Sequence, residues 1–218
     1  MSRAAPTLRL SQDGDADALL SRDPLALLIG MVLDQQFPLE RAFAGPFVLT
    51  QRLGLGLDAR ELAAYDPDAL AAVFAIPPVV HRYPRSMAQR VQQLCEHLVE
   101  AYDGSAASVW QGATSGGELL RRVKALPGFG EQKARIFVAL LGKQLGVQPP
   151  GWREAAGPYG EDGSRRSVAD ITGPDSLTEV RGYKQQLRAA AKANATVPPR
   201  KPTRTKAKAN ARKAQAKA

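Results

Sequence analysis

Apolar residues recur at helical spacing along most of the chain, and no alternating stretch extends far enough to read as a strand. Asp23-Pro24 is a helix start, with Asp23 as N-cap and Pro24 at the first helical position. Leu25 to Leu33 follows, apolar on every side, and predicts a helix buried nearly all round. Pro38 interrupts it and permits a second short helix through Phe43. Asp66-Pro67 repeats the start signal ahead of Leu70, Val73 and Phe74. Ser86 with Gln89 reads as a capping box, after which Met87, Val91, Leu94, Leu98 and Tyr102 fall on one face and Asp103-Gly104 stops the helix. Ser115 with Glu118 reads as another box, opening a helix through Leu119, Leu120 and Val123 that ends at Pro127-Gly128. From about Glu131 to Gly142 a further helix turns Ala134, Phe137, Val138 and Leu141 inward. Gly146 to Gly163 is rich in Gly and Pro and reads as a long loop. A last helix, capped by Asp175, runs through Leu177, Val180 and Leu187.

The fold class expected from this pattern is all-α: a frayed N-terminus over 1–15, one helical domain over 16–193, and a tail over 194–218. The tail is rich in Lys, Ala and Pro, a composition that argues for disorder. With 218 residues and 44% hydrophobic content, the chain can bury one good-sized core. No apolar run reaches the roughly 18 residues needed to span a bilayer, since Leu25–Leu33 is closed by Asp34. The N-terminus lacks a basic segment followed by an apolar stretch and a small-residue cleavage site, so the expected location is the cytoplasm. Cys95 is the only cysteine, which excludes an intrachain disulfide; with only His81 and His97 beside it, little remains for a zinc or iron–sulfur site.

Charge divides the chain unevenly. The net charge is +9, yet the segment 184–218 holds eleven Lys or Arg and no Asp or Glu. Positions 1–183 keep 19 basic and 21 acidic residues, a net of −2. A basic tail on a near-neutral body attracts any polyanion through counterion release, and equally suits a solvated tail that serves solubility alone.

The most informative stretch is Leu126-Pro127-Gly128-Phe129-Gly130-Glu131-Gln132-Lys133-Ala134. Two glycines one residue apart allow positive φ and a tight reversal between helices. Backbone N–H groups of the turn and of the next helix's first residues can then face outward, and with the helix dipole they make a site for a DNA phosphate. Phe129 is expected to plug the turn into the core, with Arg121, Lys124, Lys133 and Arg135 clustered around it. The plainer alternative is a helix-Gly-helix connection without a ligand.

This segment resembles the helix-hairpin-helix of the DNA glycosylase superfamily that includes endonuclease III, the adenine glycosylase and the alkyl-base glycosylases. The segment 27–36, Leu-Leu-Ile-Gly-Met-Val-Leu-Asp-Gln-Gln, is similar to that superfamily's early core helix, which ends in a Gln that probes the DNA stack; Gln36 falls on that position. Phe74 through Tyr83, then Arg85-Ser86-Met87-Ala88, is similar to the segment that supplies a wedge residue, placing Arg82 or Tyr83 there. The likeness covers about residues 20–142. It implies a protein of base-excision repair that extrudes a damaged or mispaired base from double-stranded DNA. It also implies a possible monovalent cation at the hairpin turn.

Three departures shape the expectation. Bifunctional members carry a nucleophilic Lys two residues after the second hairpin Gly, where this chain has Gln132, and an amide cannot form the Schiff base of a lyase. The four cysteines of the iron–sulfur cluster found in some members are absent, so no such cofactor is expected. The superfamily's catalytic Asp, which stabilises a developing oxocarbenium ion, falls on Asp170 or alternatively Asp175; the first lacks the Thr-His pair that usually follows, and the second is also an ordinary helix cap. The resulting expectation is a monofunctional DNA N-glycosylase, a hydrolase without lyase activity, acting as a monomer on duplex DNA. A noncatalytic helix-hairpin-helix DNA-binding protein and a protein-interaction module are its rivals.

Overall fold

A computed structural model describes residues 7–54 and 56–195, the side chains of 188 and 190–195 excepted. The described residues are helical and contain no strand. The expected basic tail lies almost wholly outside them. Helices α1 (Gly14–Arg22), α2 (Pro24–Leu33), α3 (Leu39–Leu53), α4 (Ala59–Ala64), α5 (Pro67–Ala75) and α6 (Pro84–Tyr102) form the first half. The second half holds α7 (Gly116–Ala125), α8 (Glu131–Gln144), α9 (Trp152–Ala156) and α10 (Pro174–Ala195). Short 3₁₀ turns over Ala106–Val109, Gly157–Tyr159 and Val168–Asp170 link them. A compact unit runs as far as Lys184, and a second begins at Gln185.

The apolar run 25–33 becomes the axis of the first half. Every residue of α2 from Leu25 to Leu33 is buried, with α1, α3 and α6 packed around it. Asp23 caps it as expected, its carboxylate accepting from the N–H groups of Leu25 and Ala26. Asp66 caps α5 by the same device, and Asp58 caps α4, a helix too short to register in the apolar pattern. In the second half α8 takes the central place, packed by α7, α9 and the 168–170 turn. Its inward residues Ala134, Phe137, Val138 and Leu141 are fully buried.

Several expectations are corrected. The N-terminus is packed from its first described residues: Leu8 and Leu10 are fully buried. The Asp17 carboxylate holds the N–H groups of Leu10 and Ser11 at 2.9 and 2.8 Å. The helix after Pro38 continues to Leu53, through an internal Pro46. It does so because Ala42, Phe43, Pro46 and Leu49 all bury on one side, an apolar gain that offsets the missing donor. Ser86 and Gln89 do not cap α6, which starts at Pro84 with no side-chain cap at Tyr83. Ser115 accepts from the Glu118 N–H, but the Glu118 carboxylate turns to Thr114 and Arg122 rather than back to complete the box. The segment 146–163 is not all loop, since α9 and the 157–159 turn lie within it. Trp152 is buried there against α8, where a Cβ at Gly142 would come within 2.3 Å of its ring. Asp175 is not a cap: α10 begins at Pro174, and the Ser176 hydroxyl receives the N–H groups of Thr172 and Gly173.

Candidate nucleic-acid interface

The turn between α7 and α8 forms as the two-glycine spacing suggests, with one glycine doing the reversal. Gly128 takes φ +84°, the left-handed region where a side chain is strained. Gly130 sits at φ −71°, ψ 172°, an extended N-cap conformation open to any residue. A Cβ there would meet nothing within 4 Å, so the surface over Gly130 is open. The Phe129 N–H closes the turn on the Leu126 carbonyl at 3.1 Å. The Phe129 ring is buried edge-on against Phe137, centroids 5.7 Å apart, and so fixes the turn to the core.

No side chain caps the N-terminus of α8. Its first residues, Gly130, Glu131 and Gln132, are all exposed and stand at the positive end of a 14-residue helix dipole. The cations expected around the turn are arranged in two ways. Lys124 and Arg135 both pair with Glu131. Their hydrogen bonds, Lys124 first, hold the Glu131 carboxyl below the usual carboxylate range, so one acid shares two bases. Arg135 also donates to the Ala155 carbonyl at 3.1 Å. Arg121 is exposed.

Lys133 is turned inward to α2. Its ammonium donates to the Met31 carbonyl, with Val32 O at 3.5 Å, and so closes the C-terminal end of that helix. Burial lowers its pKa to about 8, against the opposing pull of Asp34, with Arg90 adding to the depression. A Cβ at Gly128 would lie 3.7 Å from Val32, so turn and helix end are in contact. Gln132 points the other way, its amide donating to the Tyr159 hydroxyl at 2.9 Å.

Beyond α2 the chain makes a second tight turn. Gln36 is exposed and holds φ +52°, a left-handed conformation that costs a non-glycine residue of order 1 kcal/mol. Gln35 beside it is fastened: its amide donates to Val32 O at 2.7 Å, and its side-chain oxygen receives Arg90 at 2.5 Å. His81, fully buried, contacts the Gln35 carbonyl through Nε2 at 3.0 Å and accepts the Tyr83 N–H at Nδ1 at 3.1 Å. That accepted bond places the ring proton on Nε2. Burial pulls the His81 pKa down, against the Gln35 carbonyl bond that raises it. Tyr83 is 45% exposed, with the Arg82 guanidinium 4.8 Å from its ring centroid. The hairpin, the Gln36 turn and the Arg82–Tyr83 loop therefore join through Val32, Lys133 and His81 into one face.

Asp170 lies elsewhere. Its carboxylate is buried and pairs with Lys143 at 2.6 Å. It also accepts from the N–H groups of Arg166 and Ser167 at 2.9 and 3.1 Å and lies 3.3 Å from the Ser164 hydroxyl. With Ser167 it forms a capping box on the 168–170 turn. Lys143 stands twelve positions after Glu131 on α8, which separates this carboxylate from the hairpin by roughly 18 Å of helix. Asp175 is exposed in the first turn of α10. A carboxylate the sequence reading passed over, Asp34, ends α2 and acts electrostatically on Lys133. Its position immediately before the Gln pair was the signal available. Among the described residues no group of acids, His and Cys is arranged to hold a metal ion, and no helix is long and apolar enough to cross a membrane.

Comparison with known protein families, curated proteins and solved structures finds no match to this chain.

Proposed function

We propose that this chain is a DNA-binding protein of base-excision repair that seats the hairpin 126–130 on a phosphate of double-stranded DNA and acts as a monofunctional N-glycosylase without lyase chemistry. The observation that carries the DNA-binding part is the uncapped N-terminus of α8 behind an open Gly130. Donors left free there suit an anion, and the Phe129 anchor keeps them in place without rearrangement. Gln36 in its strained turn and Tyr83 or Arg82 brace the stack on the same face when a base is extruded. Gln132, an amide bonded to Tyr159, offers no amine for a lyase step.

The glycosylase part rests on the resemblance of residues 20–142 to a superfamily of such enzymes. A specific observation favours the second reading, DNA binding without catalysis: the Asp170 carboxylate is saturated and far from the hairpin. Single-turnover incubation of the full chain with duplexes carrying uracil, other deaminated, oxidised or alkylated bases separates the two. Strand cleavage that appears only after alkali, at one lesion, is the expected result for the glycosylase. Duplex binding that weakens steeply with salt, with no cleavage, establishes the second reading. Binding indifferent to salt removes both and leaves a protein-interaction module.

The same assay places the chemistry. Asp170→Asn strands Lys143 half-buried and is expected to cost about 3 kcal/mol of stability, seen as a lowered melting temperature. Excision lost at unchanged melting temperature would instead give Asp170 a catalytic role. Excision lost in Asp34→Asn with DNA binding intact would assign it to the α2 end.

A further inference from the structure

Helices α5 and α6 pack against each other, and beside their contact lies a groove of about 280 Å³ lined by Asp68, Arg85, Gln89, Gln92, Gln93 and Glu96. Gln92 is its most buried member, only 7% exposed. The Gln92 Nε2 is committed. It donates to the Tyr65 carbonyl at 2.6 Å and lies 3.4 Å from the Leu62 and Ala63 carbonyls, closing the C-terminal end of α4. Three carbonyls around one nitrogen fix which way the amide faces. Oε1 therefore turns from α4 toward the groove, and among the described residues no N–H or O–H donates to it. A buried acceptor left without a donor is costly, and one that faces a groove is free to receive a ligand's.

The rest of the groove calls for the same kind of ligand. Glu96 stands one helical turn beyond Gln92 on α6, exposed and without a basic partner among the described residues. Arg85 is paired with Asp68 at 2.6 Å and leaves the Glu96 charge uncompensated. On the neighbouring stretches Glu61, Asp66 and Glu100 are exposed and likewise without ion pairs among the described residues. Burial, with the charges of Asp58 and Glu96 adding to it, pushes the Cys95 thiol up to about 12, as carboxylates with no base beside them do. Such a surface repels phosphate, and one free carboxylate among amides is not a cage for a metal ion. A sheltered neutral acceptor and a charged one, a turn apart, match the several N–H donors of a planar guanidinium. Gln89 and Gln93, exposed and also a turn apart, bring amides that pair with peptide backbone on either side of it.

We infer that the α5–α6 groove is a docking site for an arginine side chain of a partner protein, carried on a basic segment. The guanidinium donates to Gln92 Oε1 and to the Glu96 carboxylate, and the surrounding acids draw the segment in. Arginine is preferred to lysine, whose compact ammonium is more strongly hydrated and lacks the fixed fork of donors.

The test titrates the full chain, isotope-labelled for amide NMR, with a blocked pentapeptide holding one arginine between alanines, and with its lysine counterpart. Saturable shifts of the Gln92 side-chain amide and of the Gln93 and Glu96 backbone amides are expected with the arginine peptide, and weaker binding with the lysine one. Glu96→Gln is expected to lower affinity for the arginine peptide about tenfold. Glu154→Gln, which removes the same charge from α9, is expected to leave it unchanged. Both positions are exposed, and melting temperatures check that the fold is kept. Shifts that never saturate, or that sodium chloride at equal ionic strength reproduces, overturn the proposal. Equal weakening by the two variants also overturns it, since the attraction would then be one of net charge. Equal affinity for the two peptides overturns the assignment to a guanidinium. Altered sedimentation of the free protein in Glu96→Gln, with peptide binding unchanged, would make the groove a contact between copies and overturn the partner reading.

Discussion

Gly128 and Gly130 stand two positions apart and do different work. The first is required by its backbone, at φ +84°. The second has ordinary dihedrals and open space and is free to carry a side chain. Serine at position 130 therefore fits the N-cap geometry and brings a hydroxyl to the free donors of α8. Gly130→Ser is expected to stabilise the fold by a few tenths of a kcal/mol, read by thermal melting. In the same variant duplex affinity falls, because the hydroxyl takes the donor a phosphate would use; a rise or no change in affinity would argue against a phosphate at that end. The importance of the pair was legible from its spacing, but not its division of labour, since dihedrals depend on how the turn lands on Val32. Asp170 shows the same limit. A carboxylate after a Gly-rich loop does not reveal its ion-pair partner in the sequence, and Lys143 lies 27 positions away. Gln36 was expected at the end of the core helix; α2 stops at Leu33, and Gln36 follows in a left-handed turn that its identity does not reveal.

Between elements, the contact of Lys133 with the end of α2 decides where the hairpin sits. The unfolded chain releases this proton near the ordinary lysine value, and the folded protein releases it at about 8. Between those values the unfolded state holds more protons, so stability rises with pH through that interval and the penalty is fully present below it. Thermal melting from pH 7 to 10.5 is expected to show that rise in wild type and a flatter profile in Lys133→Met. Equal slopes would mean the amine is not buried. Element starts were readable wherever Asp precedes Pro, because the cap and the fixed φ are both local. The extent of α3 was not, since Pro46 stays helical through burial against neighbours distant in sequence. The segment 146–163 was misjudged likewise: its Gly and Pro content is real, but Trp152 finds a seat at Gly142 that only the folded α8 offers.

On the scale of the molecule, charge and contact surface are divided. The body through residue 183 carries a net of −2, while the tail holds eleven bases. Under the function proposed above, long-range attraction to DNA comes mainly from the tail and placement from the hairpin face. Removal of residues 196–218, which carry eight of those bases, is expected to reduce the salt dependence of duplex binding by several units of slope. The effect of Gly130→Ser is expected to survive in the shortened chain. Loss of all salt dependence on truncation would deny the body any phosphate contact. The all-helical class and the existence of the hairpin were readable because both rest on local periodicity and turn chemistry. The face that joins the hairpin to the Gln36 turn and the 76–83 loop was not, because Lys133 and His81 build it by reaching across the fold. The buried Lys133 ammonium also gives that face a calorimetric signature. An anion seated beside it would favour the charged form, so near pH 8 the complex would take up protons from the buffer. The apparent heat of association would then change with the buffer's own heat of ionisation, and the dependence would vanish below about pH 6, where the amine is already charged.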